Sequence, residues 1–144
     1  MKPNTRYFTV GPAAIYPSVG QWTQDFFDLG LSSIYHRSSD FQNIYKNLDH
    51  ELRHLMNIRS THAIFIASSG SEIMERILQN CVQNSSFHFV NGSFSKKFFD
   101  YALRLGIHAN KVEVPFGEGF SSLPNISAET ELICMTHNET STGI

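Results

Sequence analysis

The 144-residue chain predicts an α/β fold, a mostly parallel sheet with flanking helices. Three observations carry this reading. From about Thr61 onward, short apolar runs alternate with segments of helical periodicity. Strands that follow one another through single helices need crossover connections, which make neighbouring strands parallel. The apolar runs also end in clusters of Ser, Gly, Asn and Thr, and the last of these, 136–143, reads as the polar mouth where ligands of α/β sheets sit.

The first sixty residues are less regular. Gly11, Pro12 and Pro17 punctuate an irregular lead, and Gln21–Leu29 reads as a short helix. Asp40–Met56 carries the strongest helical pattern. Phe41, Ile44, Tyr45, Leu48, Leu52 and Leu55 recur at i, i+3, i+4 and i+7, with Ser39 or Asp40 available as the cap. The run His62–Ala67, with Ile64, Phe65 and Ile66, predicts a buried strand. Ile73, Ile77, Leu78 and Cys81 predict a helix beginning near Glu72. Phe87–Val90 predicts a strand, and Phe98 to Leu105 a helix stopped by Gly106. Lys111–Val114 and Leu132–Met135 predict the last two strands, separated by the Gly/Ser-rich loop 117–124.

Composition narrows the function. The chain is 41% hydrophobic and 17% charged, which suits a packed domain rather than a disordered tail. With 11 Lys and Arg against 13 Asp and Glu, its net charge of −2 carries no electrostatic footprint of nucleic-acid binding. No run reaches the roughly 20 apolar residues of a membrane-spanning helix, and no secretory h-region opens the chain, so the expected setting is cytoplasmic. Cys81 and Cys134 lie in apolar segments without metal-ligand spacing and are expected to be buried free thiols.

One motif is set aside. His50, Glu51 and His54 spell HExxH, the pattern in which two histidines one turn apart hold zinc. At about 100° per residue, however, the apolar stripe centres near Leu48 and Leu52, and both histidines fall on the opposite, solvated side.

Three other groups are retained. Ser68, Ser69, Gly70 and Ser71 lead into a helix, where free amides and the helix dipole favour an anion such as phosphate. A Walker-type loop and a GxGxxG are both absent. His36 and Arg37 stand in a loop before the long helix, and an arginine there can clamp a carboxylate or phosphate with paired hydrogen bonds. Asn91, Gly92, Ser93 and Phe94 end the second strand, where Gly92 lets the backbone turn and Phe94 reads either as an aromatic face over the sheet's edge or, as composition alone favours, as core.

The order FTVGPA, YHRSSDF, SSGSE, VNGSF, THNETSTG resembles the class V aminotransferases, pyridoxal-phosphate enzymes of the aspartate-aminotransferase fold type I. The opening is most similar to phosphoserine aminotransferases. The resemblance covers all 144 residues but only the front of a longer family chain. It implies an N-terminal lead with a substrate-binding loop over 1–39, and a truncated front part of the large cofactor-binding domain over 40–144. It further implies that Gly70 and Ser71 hold the cofactor phosphate, Phe94 stacks on its ring, Thr140 bonds near its phenolic oxygen, and His36 and Arg37 bind an acidic substrate.

The intact enzyme would be a homodimer acting on small amino and oxo acids, with the remaining groups that select the amino donor expected in the later part of the family chain. The Schiff-base lysine is expected beyond Ile144, since none of Lys2, Lys46, Lys96, Lys97 and Lys111 matches its position. The 144-residue chain alone is therefore expected to be inactive. Departures from the phosphoserine pattern are Ser71 in place of arginine, Phe94 in place of tryptophan, and the generic ending Ser141, Thr142, Gly143. They keep open an alanine- or serine-glyoxylate-type transaminase, and a non-catalytic anion-binding module.

Overall fold

A computed structural model describes residues 14–144, which leaves the FTVGPA opening outside the described residues. The chain divides into two compact units, Met1–Phe65 and Ile66–Ile144.

The first unit holds helix α1 (Val19–Asp28), a 3-10 turn (Leu31–Ser33) and helix α2 (Ser39–Met56). Helix α2 starts one residue before the expected Asp40 because Ser38, with extended backbone, is the cap: its Oγ accepts from the Phe41 amide at 3.2 Å. It ends at Asn57, which takes the left-handed conformation (φ 52°) while the Ile58 amide bonds back to the Arg53 carbonyl. Arg53 then pins the segment that follows. Its guanidinium bonds Asp49 one turn back at 2.7 and 3.1 Å and donates to the carbonyls of Arg59 and His62. The apolar stripe of α2 is present but uncovered, with Phe41, Ile44, Tyr45, Leu48 and Leu55 all exposed.

The second unit is a three-stranded parallel sheet in the order β2-β1-β3, formed by β1 (Ser85–Val90), β2 (His108–Glu113) and β3 (Leu132–Cys134). Ser85 pairs with His108 and Val90 with Glu113 on one side of β1, and Ser86 to His88 pair with Leu132 to Cys134 on the other. Helices α3 (Gly70–Cys81) and α4 (Ser93–Arg104) precede and follow β1. As the central strand, β1 is buried on both faces from Ser86 to Val90, so even its polar members Ser86 and His88 are enclosed, and they bond each other. Phe87 and Phe89 meet edge to face at 5.5 Å, and Phe120 of the long loop covers Phe89. The opposite face turns His88 toward Phe98 and Phe99 of α4.

Leu78 of α3 and Ala102 of α4 form the centre of a core completed by Val82, Ile107 and Cys134. Gly106 (φ 75°) stops α4 as expected. Its amide bonds the Leu103 carbonyl while that of Ile107 reaches Ala102, so the exit from the helix also delivers Ile107 to the core.

Two sequence expectations need correction. The segment 62–67 is not a strand: it pairs with nothing among the described residues, and Phe65 and Ile66 are 84% and 63% exposed. An apolar run makes a strand only where a neighbouring strand completes its hydrogen bonds. Cys81 is exposed rather than buried, because it closes α3 outside the core, whereas Cys134 is buried in β3. No helix among the described residues is long and apolar enough to cross a membrane.

Candidate functional site

The most heavily bonded feature of the second unit lies where β1 hands over to α4. The first amides of a helix have no partner within it, and here side chains from far along the chain supply most of them. Ser93 donates its amide to Ser141 Oγ at 2.8 Å, and Phe94 and Ser95 donate theirs to the two oxygens of Glu139 at 3.3 and 2.8 Å. Ser95 Oγ accepts in turn from the amides of Asn91 and Gly92, both at 3.0 Å.

Glu139 is 0% exposed. Burial raises its pKa, but hydrogen bonds from Ser141, Ser95 and Phe94 outweigh this and hold the carboxyl below the ordinary carboxylate range. The negative charge also sits at the positive end of the α4 dipole. Gly92 makes room for it. A Cβ there would lie 2.6 Å from Glu139 Cδ and 2.7 Å from Ser141 Oγ, and would also press on Glu139 Cγ.

Glu139 organises its own loop as well. Ser141 Oγ donates to its carboxylate at 2.6 Å, and its carbonyl accepts from the amides of Thr142 and Gly143 and from the Thr142 hydroxyl. Gly143 takes φ 77° to close the turn. Thr140, between Glu139 and Ser141, is left exposed. Phe94, one residue into α4, is 39% exposed, with Lys97 Nζ 5.8 Å from its ring centre.

At α3, Ser69 is the cap and its Oγ accepts from the Glu72 amide at 3.2 Å. The Glu72 carboxylate reaches back to the amide and hydroxyl of Ser68 at 2.9 and 2.6 Å; the Ser68 hydroxyl is the first cause of its lowered pKa. Among the described residues the Gly70 and Ser71 amides have no hydrogen-bond partner. Residues 82–84 return the chain from α3 into β1, so the connectivity directs the N-terminus of α3 toward the end of the sheet where α4 begins.

Of the residues singled out from sequence, hydrogen bonds tie the neighbourhoods of Phe94 and Thr140 together through Glu139 and Ser141. Gly70 and Ser71 share with them the sheet end given by the connectivity, and no bond joins the two groups. His36 and Arg37 lie in the first unit, both exposed, in the turn that leads to Ser38. The His36 ring meets Tyr35 edge-on, and the Arg37 carbonyl accepts from Gln42. His50 and His54 are exposed on α2, and no three His, Cys, Asp or Glu side chains among the described residues gather as metal ligands. A cleft of about 150 Å³ opens beyond β1 and β2, between Asn91, Ser93 and Lys96 on one side and Glu113 and Phe116 on the other. None of Gly70, Ser71, Phe94 and Thr140 lines it. Sequence reasoning gave Glu139 no role, and took Gly92 as a turn residue without the room it leaves for Glu139. The available signal was an acidic residue amid small hydroxyl residues, but its partners lie 44 and 45 positions away.

Comparison with known proteins gives a class of relatives first. The parallel sheet with its flanking helices matches part of a solved aminotransferase. The particular relatives are phosphoserine aminotransferases. The crystal structure of one from Cytophaga hutchinsonii matches over 96% of this chain with 45% identity and a TM-score of 0.88. Curated phosphoserine aminotransferases of Leuconostoc mesenteroides and Rhodococcus opacus are 28% and 24% identical over 83% and 95% of the chain. The chain spans 38% of the solved structure and 35% and 37% of these two relatives. No family model matches it.

Proposed function

We propose that the protein is the front part of a pyridoxal-phosphate-dependent aminotransferase of the phosphoserine:2-oxoglutarate type, which moves an amino group between an amino acid and a 2-oxo acid. The observation that carries the reading is the 45% identity to a solved phosphoserine aminotransferase across 96% of the chain. Local geometry is consistent with the cofactor. Two unpartnered amides at a helix N-terminus suit a phosphate, and a partly exposed ring on α4, tied through Glu139 to the loop that carries the exposed Thr140, suits an aromatic group bearing an oxygen.

When bound, pyridoxal phosphate supplies the electron sink that lets the Cα–H bond of an amino acid break. Gly70 and Ser71 would hold its phosphate by their amides, helped by the α3 dipole. Phe94 would lie against its ring and keep water from one face, and Thr140 would donate a hydrogen bond near its phenolic oxygen. His36 and Arg37 would bind the acidic end of the substrate, with residues 1–39 as the lead that carries them and 40–144 as the front of the cofactor-binding domain. The lysine that moves the proton, and the acid that pairs with the ring nitrogen, would come from chain beyond Ile144. A cytoplasmic homodimer is the expected form of the intact enzyme.

A donor screen on the full-length protein with pyridoxal phosphate and 2-oxoglutarate tests this. O-phosphoserine is expected to give the highest kcat/KM, well above alanine and serine. Preference for alanine or serine moves the protein to another class V transaminase. Failure to take up the cofactor leaves an anion-binding module.

A further inference from the structure

We propose that Glu139 is a positioning residue: its buried carboxylate fastens the α4 N-terminus, which carries Phe94, to the loop that carries Thr140, so that ring and hydroxyl meet the cofactor as one rigid unit. This rests on the functional reading above and adds a residue to it. Glu139 is fully buried and bonds the amides of Phe94 and Ser95, while its own hydroxyl donor, Ser141, takes the amide of Ser93. Three consecutive amides of α4 are thus held by two side chains of one loop. Thr140 lies between those two residues, so its backbone is clamped on both sides. Gly92 completes the device, because a methyl group at that position would occupy the space of the Glu139 side chain.

A carboxylate in this place also changes what α4 can do. The helix N-terminus would otherwise attract an anionic ligand. With Glu139 on two of its amides, it presents a neutralised, rigid end, and an incoming phosphate is left to the amides of α3.

The test uses the full-length protein carrying Glu139→Gln, Gly92→Ala or Ser141→Ala. The release rate of pyridoxal phosphate is measured together with the visible circular dichroism that the bound cofactor acquires from its fixed orientation. Glu139→Gln sets an NH2 group against backbone amides, and Gly92→Ala displaces the carboxylate without altering it. Both are expected to release cofactor at least roughly tenfold faster, the scale of a lost charge-assisted hydrogen bond, and to show a weakened visible band while far-ultraviolet dichroism is unchanged. Ser141→Ala keeps the Glu139 bonds to Phe94 and Ser95 and is expected to show a smaller change of the same sign; it decides the matter if the other two do not fold. Wild-type release and a wild-type band in every variant that folds overturn the role of Glu139 alone. A wild-type protein that takes up no pyridoxal phosphate overturns the functional reading and this role together.

Discussion

His88 shows how much a single buried side chain can say about the folded state. It lies on β1 against Phe98 and Phe99, is 1% exposed, and has one bond, to Ser86 Oγ at 2.9 Å, while its Nδ1 has no partner. Burial alone pushes its pKa down to about 4. The folded chain therefore holds a neutral imidazole where the unfolded chain begins to take up a proton below about pH 6.5. Its contribution is complete above pH 6.5 and is lost as pH falls toward 4, about 3 kcal/mol over that interval. Glu131 acts in a lower window. It accepts from the amides of Gln83, Asn84 and Ser85 and from the Asn84 side chain, which hold it down to about 2, the Asn84 amide foremost. Its stabilising effect is complete above about pH 4.5 and is lost as pH falls toward 2. Urea unfolding of the protein at pH 7, 5.5 and 4.5 is expected to show falling stability, and His88→Gln is expected to flatten most of that slope. A wild-type slope in His88→Gln would mean that the imidazole is not buried neutral.

Elements with local causes were legible in the sequence, and those that need a distant partner were not. Helices α2, α3 and α4 fall within a few residues of their expected limits, because apolar spacing and the stop at Gly106 are written within one or two turns; the caps themselves differ, Ser38 in place of the expected Ser39 or Asp40, and Ser69 starting α3 at Gly70 rather than near Glu72. Strands β1, β2 and β3 were found in order for a similar reason, although β2 begins at His108 rather than Lys111, where its pairing with Ser85 of β1 extends it. The run 62–67 is more apolar than β1 and still forms no strand, because composition records a tendency to be covered without naming what covers it. The bond from Glu139 to α4 was invisible for a related reason: no local pattern links residues 44 positions apart. The contact between α3 and α4 gives a direct check at this scale. Leu78 is wholly buried there against Ala102, and Leu78→Ala is expected to cost about 2–5 kcal/mol in unfolding free energy. A loss below 1 kcal/mol would show that the helices close over the gap.

At the scale of the whole molecule, the second unit directs the starts of α3 and α4 toward one end of a parallel sheet, the end at which α/β proteins hold their ligands. Of the proposed site, the part made of backbone was the easiest to foresee, since a Ser/Gly turn before a helix always offers amides. The rigid support of Phe94 and Thr140 emerged only from the fold. The apolar stripe of α2 and the exposed run 62–67 belong to the same picture, as surfaces whose sequence calls for cover. The central claim is that Gly70, Ser71, Phe94 and Thr140 receive a single pyridoxal phosphate. A crystal structure of the full-length protein with that cofactor tests it most directly. Phosphate oxygens are expected about 2.7–3.2 Å from the Gly70 and Ser71 amides, with the ring against Phe94 and its phenolic oxygen at the Thr140 hydroxyl; cofactor bound instead in the cleft between Asn91 and Glu113, or with its phosphate away from α3, would contradict this.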